Sequence, residues 1–155
     1  MNDQKRRLIG PGLLLAICQK EDWAVAWGDK TPADRCIISS LAVAIAKSVV
    51  MQQASGAAQR KWLLQIDRTI STLEAEGVKV IGVSDDTIGR FITWRSEADL
   101  THTVVNADQS HEQWPIGQDT RLLIATADAM ELAFCEIDDT YMEVLERLGI
   151  TVERL

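Results

Sequence analysis

Two histidines, His102 and His111, lie nine residues apart in a polar stretch that also carries Asp99, Asp108 and Glu112. Imidazole and carboxylate are ligand types that zinc and other borderline metals accept. Spacing inside a polar loop does not by itself bring them together, so solvated histidines are the expectation and no metal or cofactor is assigned. Asp85 and Asp86 follow the apolar run Val78–Val83. Acids at strand ends act as nucleophiles or carry metals in many α/β enzymes. They equally suit a turn, because an aspartate side chain bonds to nearby backbone. A Cys–His nucleophile, such as Cys18 with His102, is conceivable but has nothing in the sequence to recommend it. The enzyme alternative is therefore a small hydrolase whose pocket joins Asp85, Asp86, His102 and His111.

No glycine-rich nucleotide loop, serine-hydrolase elbow, HExxH helix or clustered Cys/His set is present. The three cysteines, Cys18, Cys36 and Cys135, are an odd number without CxxC spacing and have the apolar neighbours Ile17, Ile37 and Phe134. They read as reduced core thiols of a cytoplasmic protein. The basic start and the apolar run Leu13–Cys18 are too short for an export signal, and Gly10-Pro11-Gly12 interrupts them. Ile37–Met51 is broken by serines and Lys47 and falls short of the ~20 residues of a membrane span.

Charge is laid out unevenly. Of a net −7, residues 1–95 hold 13 Lys/Arg against 10 Asp/Glu, whereas residues 96–155 hold 3 against 13. Residues 96–120 contain Glu97, Asp99, Asp108, Glu112 and Asp119, no base, and Trp114 among polar neighbours. A long acidic loop with an aromatic anchor suits contact with another protein that has a basic surface. A homodimer through the chain's own basic half is a second way to match that charge. Direct nucleic-acid binding is disfavoured, because this half would repel phosphates.

The elements that must position these residues are read from periodicity. "CQKEDWAVAWGD" (18–29) places a polar turn between apolar runs, and 78–94 and 121–137 repeat that layout. Each half has strand length, so three β-hairpins are expected, with Trp23, Val25 and Trp27 on one buried face and Ala24 and Ala26 on the other. Thr31-Pro32-Ala33-Asp34 predicts a helix start, and Ile37, Leu41, Ile45 and Val49 give it one apolar stripe. A second helix, with Trp62, Leu63, Ile66, Ile70 and Leu73, ends at Gly77. Thr140 and Glu143 have capping-box spacing ahead of a third helix, which Gly149 stops before the alternating "ITVERL". "THTVV" suits a short edge strand.

The expectation is one α+β domain spanning 1–155, with 1–9 flexible and 96–120 a long acidic loop. Its largely antiparallel sheet comprises three hairpins and a C-terminal strand, with two central helices and one C-terminal helix packed on it. The leading functional reading is a non-enzymatic protein-binding protein, inhibitor-like, contacting a basic, nucleic-acid-binding target through Glu97, Asp99, Asp108, Glu112, Trp114 and Asp119.

Overall fold

Cys36-Ile37-Ile38 and Ala133-Phe134-Cys135 are apolar at every position, which suits strands covered on both faces. In the computed structural model, which describes residues 5–95, 101–136 and 142–155, both segments are fully buried strands. The chain runs β1 (Arg7–Ile9), α1 (Pro11–Cys18), α2 (Asp22–Lys30), a 3-10 turn (Ala33–Arg35), β2 (Cys36–Ser39), α3 (Ser40–Gln53), α4 (Gly56–Glu76) and β3 (Lys79–Ile81). It continues through α5 (Asp85–Arg95), β4 (Thr101–Val105), β5 (His111–Pro115), α6 (Gln118–Ala129), β6 (Ala133–Glu136), α7 (Met142–Arg147) and β7 (Val152–Arg154). Five strands form a parallel sheet in the order β3-β2-β1-β6-β7, and β4 and β5 form a separate antiparallel pair. Among the described residues no helix is long and apolar enough to cross a membrane.

Alternation along each strand divides the core into two layers. Leu8, Ile37 and Phe134 face a cluster with Leu123 and Ile124 of α6 and Val144 and Leu145 of α7. Ile9, Ile38 and Cys135 face the other cluster, with Leu13 and Leu14 of α1, Ala24 of α2 and Ile66 of α4. The result is an α/β sandwich of helices on both faces of a parallel sheet, which corrects the expected antiparallel sheet of hairpins. Each supposed hairpin contains a helix. In the first, Trp23 and Trp27 are four residues apart and share one side of α2 instead of one face of a strand. Trp27 packs against the core while Trp23 is 37% exposed. Pro11 starts α1, and Lys20, at φ 57°, turns the chain after it.

The second hairpin is strand β3 followed by α5. Ser84 accepts a bond from the Thr87 amide at 3.2 Å, and Asp85 and Asp86 occupy the first turn, where carboxylates favour a helix start. The third is α6 followed by β6. The first central helix begins later than expected, because Cys36–Ser39 is strand and Ser39 caps α3 by accepting from the Leu41 amide at 3.2 Å. Parallel strands explain these errors: a strand buried on both faces lacks alternation and reads like half of a helix. Residues 7–9, expected to be part of a flexible leader, are the central strand. The second helix ends at Gly77 (φ 113°), as its sequence indicates, and Gly149 has φ 75° ahead of β7. Thr140 lies outside the described residues.

A charged group ties the short edge strand β7 into the fold. Glu153 accepts from Arg7 Nε at 2.6 Å and from Trp27 Nε1 at 3.0 Å, joining β7 to β1 and α2. Burial alone would raise its carboxyl pKa. The bonds from Arg7 and Trp27, with the Arg7 charge, outweigh burial and leave it below the ordinary glutamate value. A depressed folded-state pKa gives stability that is present above the unfolded-state value and lost as pH falls through the folded-state value. Replacing Glu153 with Gln is therefore expected to flatten the acid-side loss of stability below about pH 4.5, measured by denaturant melts from pH 7 to pH 3.

Candidate functional site

From β1 the strand order grows through β2 to β3 on one side and through β6 to β7 on the other. Where a parallel sheet reverses its order, the crossover helices leave in opposite directions and a crevice opens beyond the strand carboxyl ends. That crevice lies here between the ends of β1 and β6. After β1 the chain turns at Gly10, whose amide donates to the Cys135 carbonyl at 2.8 Å, and enters α1 at Pro11. Glu136 ends β6 and is buried. One of its oxygens accepts from the Gly12 amide at 3.0 Å and the other from the Leu13 amide at 3.1 Å. These amides belong to the first turn of α1 and have no partner within the helix. A carboxylate from a neighbouring strand thus meets the positive end of the helix. A Cβ at residue 10 would overlap Glu136 Oε2 and lie 2.9 Å from the Cys135 carbonyl oxygen, so this approach requires glycine.

The crevice deepens into a cleft of about 350 Å³ between α1, α3, α6 and the end of β6. Leu15, Ile45, Val49, Leu123 and Phe134 make its walls, and Asp119 and Glu136 are its carboxylates. Asp119 is exposed in the first turn of α6, where it accepts from the Thr120 amide at 2.8 Å. Chemically, the cleft offers one accessible carboxylate that can take a proton and one held against a helix end. Among the described residues, no group of three or more His, Cys, Asp and Glu is placed to hold a metal ion. Of the two carboxylates in the cleft, Glu136 already accepts two amide bonds, and the remaining side chains are mostly apolar. The described residues therefore do not fit a divalent-cation cage. Asp138 and Asp139, which follow Glu136 in the sequence, lie outside the described residues.

Asp85 and Asp86 sit exposed on α5 and do not line this cleft. His111 pairs with Val105, and His102 with Trp114, on the separate hairpin. Their register places them three positions apart along the ladder, about 10 Å by strand rise. His111 does not line the cleft either, so Asp85, Asp86 and His111 are not gathered in it. Cys18 is buried, and burial pushes its thiol pKa up. Burial raises the Cys36 thiol to about 11 and raises Cys135 as well, so none is an activated nucleophile.

The acidic stretch proves to be partly regular. Asp108 accepts from both the amide and hydroxyl of Ser110 at the hairpin turn, which lowers its carboxyl pKa. Glu112 accepts from Trp114 Nε1 at 2.8 Å, and Trp114 is 52% exposed. Among the described members of the expected partner-contact set, Asp119 lines the cleft. Glu97 and Asp99 lie outside the described residues. Sequence reasoning missed Glu136 and Gly10. Glu136 is, like Asp85, an acid at the end of an apolar run, "AFCE", where acids can carry chemistry. A larger cavity, about 450 Å³, lies between α1, α2 and α4 and includes Val25, Trp27, Lys20 and Arg68 in its walls.

No protein-family profile and no curated protein sequence matches the chain. Solved structures do match it. FitAcB from Neisseria gonorrhoeae superposes with a TM-score of 0.65 at 16% identity, covering 94% of each chain. VapBC2 from Rickettsia felis, bound to a DNA fragment from its promoter, gives 0.67 at 13% identity over 96% of this chain and 98% of that one. VapC20 from Mycobacterium tuberculosis, described as a Sarcin-Ricin loop cleaving toxin, gives 0.60 at 12% identity over 96% and 98%. These likenesses overturn the expectation of a non-enzymatic, inhibitor-like binding protein, since the shared architecture is found in VapC20, the Sarcin-Ricin loop cleaving toxin. The hydrolase alternative is the better supported of the two readings. At these identities the likeness concerns architecture, and the chain has a PIN-domain-like α/β fold.

Proposed function

We propose that the protein is a PIN-fold phosphodiester hydrolase acting on RNA, the toxin-like half of a module whose other half is a protein partner. The observation that carries this reading is the end-to-end likeness to VapC20 and VapBC2, each matched over 98% of its length. The crevice at the strand-order reversal supports it, because ligands of parallel α/β sheets bind there.

Asp119 is the general base of this reading. The attacking oxygen, from water or a ribose hydroxyl, gives its proton to the Asp119 carboxylate, and the departing oxygen takes a proton from solvent. Glu136 holds the start of α1 in place beside it. Incubation of the purified chain with a structured RNA should give discrete cleavage products. Asp119→Asn should slow cleavage about tenfold to a hundredfold with the melting temperature unchanged. RNA left intact by the wild-type chain, alone and after removal of any co-purifying protein, would overturn the reading.

The partner contact is proposed at the β4–β5 hairpin, on Asp108, Glu112 and Trp114, with Glu97, Asp99 and Asp119 adding negative charge. An exposed tryptophan bordered by carboxylates suits a partner with a basic surface. In binding kinetics with such a partner, Trp114→Ala should speed dissociation by about thirtyfold, corresponding to a ~2 kcal/mol hot spot. Neutralising Asp108 and Glu112 should instead slow association and weaken its salt dependence. Kinetics unchanged by either variant would place the interface elsewhere.

A further inference from the structure

Phosphodiester hydrolysis is commonly run by divalent cations, and an all-protein site for one needs several oxygen ligands that converge with free lone pairs. The cleft is built differently. Glu136, its buried carboxylate, has one oxygen on the Gly12 amide and the other on the Leu13 amide. The opposite wall is hydrocarbon: Ile45 and Val49 of α3, with Leu15 and Leu123 beside them. Gly10 supplies no side chain at the end of β1, and the room its Cβ would fill is taken by Glu136 itself. Asp119, across the mouth, has one oxygen on the Thr120 amide.

We infer that Glu136 is an internal anion for the α1 N-terminus, a positioning residue and not a metal ligand, and that the described residues of the cleft hold no resident divalent cation. This deepens the hydrolase reading and rests on it only in taking the cleft as the reaction site; the role of Glu136 stands on geometry. A cation drawn towards Glu136 would have to compete with two amide donors that have no partner within α1. Helix α1 packs against α3 and α4 and carries Leu13 and Leu14 into the core, so losing those bonds would disturb the whole face.

The test uses the full chain and manganese alone. Equilibrium dialysis with Mn²⁺ should recover well under one ion per chain, and 1 mM Mn²⁺ should move the melting temperature by less than about 1 °C, since tight binding to the native state would raise it. Glu136→Gln, which keeps an acceptor but drops the charge, should melt below wild type by the same interval with and without Mn²⁺. One Mn²⁺ per chain, lost on Glu136→Gln or Asp119→Asn, would overturn the inference. RNA cleavage is scored separately. Cleavage with stoichiometric bound Mn²⁺ would reject this inference and leave the hydrolase reading standing. Intact RNA with no bound Mn²⁺ would do the reverse.

Discussion

Trp27→Ala is expected to destabilise the protein by about 2–3 kcal/mol, the low end of the range for removing a large aromatic, because Trp27 is half-buried. Trp27 packs from α2 onto the cluster that holds Ile9, Ile38 and Cys135. Its indole N–H also reaches Glu153 on the edge strand. Truncation therefore opens space beneath α2 and removes one of the bonds that stabilise a partly buried carboxylate. Few other contacts could compensate, because Ala24 is the residue of α2 that is fully buried. Denaturant melts at pH 7 measure the loss. Trp27→Phe should recover the packing but not the bond, and should fall between the two. Trp114→Ala, on the exposed hairpin, should move the same midpoint by less than about 0.5 kcal/mol.

The second large effect is expected at a residue with no side chain. Gly10→Ala should cost about 2–4 kcal/mol, because the new methyl group meets Glu136 on one side and the Cys135 carbonyl on the other. The carbonyl belongs to β6, which pairs with β1 and cannot retreat without breaking the ladder, so the carboxylate must move. Its departure strands the Gly12 and Leu13 amides. The strain is one of space, because the backbone at Gly10 is extended, with φ −72°. A double-mutant cycle distinguishes this account from a general intolerance of alanine. In a Glu136→Ala background, Gly10→Ala should cost much less than in wild type. Equal costs in both backgrounds would mean that the two residues do not share the space.

Helices with one polar face could be read from the sequence, and strands buried on both faces could not. Gly56–Glu76 announces itself through Trp62, Ile66, Ile70 and Leu73 against Arg60, Lys61 and Glu74, and Gly77 marks its end. By contrast, Cys36–Ser39 merges without a break into Leu41, Ile45 and Val49, because the same residue types fill a central strand and the buried stripe of a helix. In 18–29, the alternation of Trp23, Val25 and Trp27 fits a period of two, while Trp23 and Trp27 also fit a period of 3.6. Helix α2 follows the second, which lets Trp27 reach the sheet. The site was harder still. Asp119 was singled out for its charge, and the cleft gives it a different place. Glu136 becomes visible only when β1 and β6, more than a hundred residues apart, are known to be neighbours.

That neighbourhood has a consequence for how the chain is made. β1 leaves the ribosome before its partners, and one of its edges is closed early by β2, with β3 following by residue 81. Its other edge must wait for residues 133–136. At translation speeds of 5–20 residues per second, the intervening stretch takes roughly 3–10 s to synthesise. Through that interval the nascent chain carries a three-stranded half-sheet with Leu8 and Ile9 on an open edge, the kind of edge that recruits another strand. A chain stalled or truncated before Ala133 should therefore be a substrate for chaperones and prone to aggregate, whereas one that includes β6 and β7 should not.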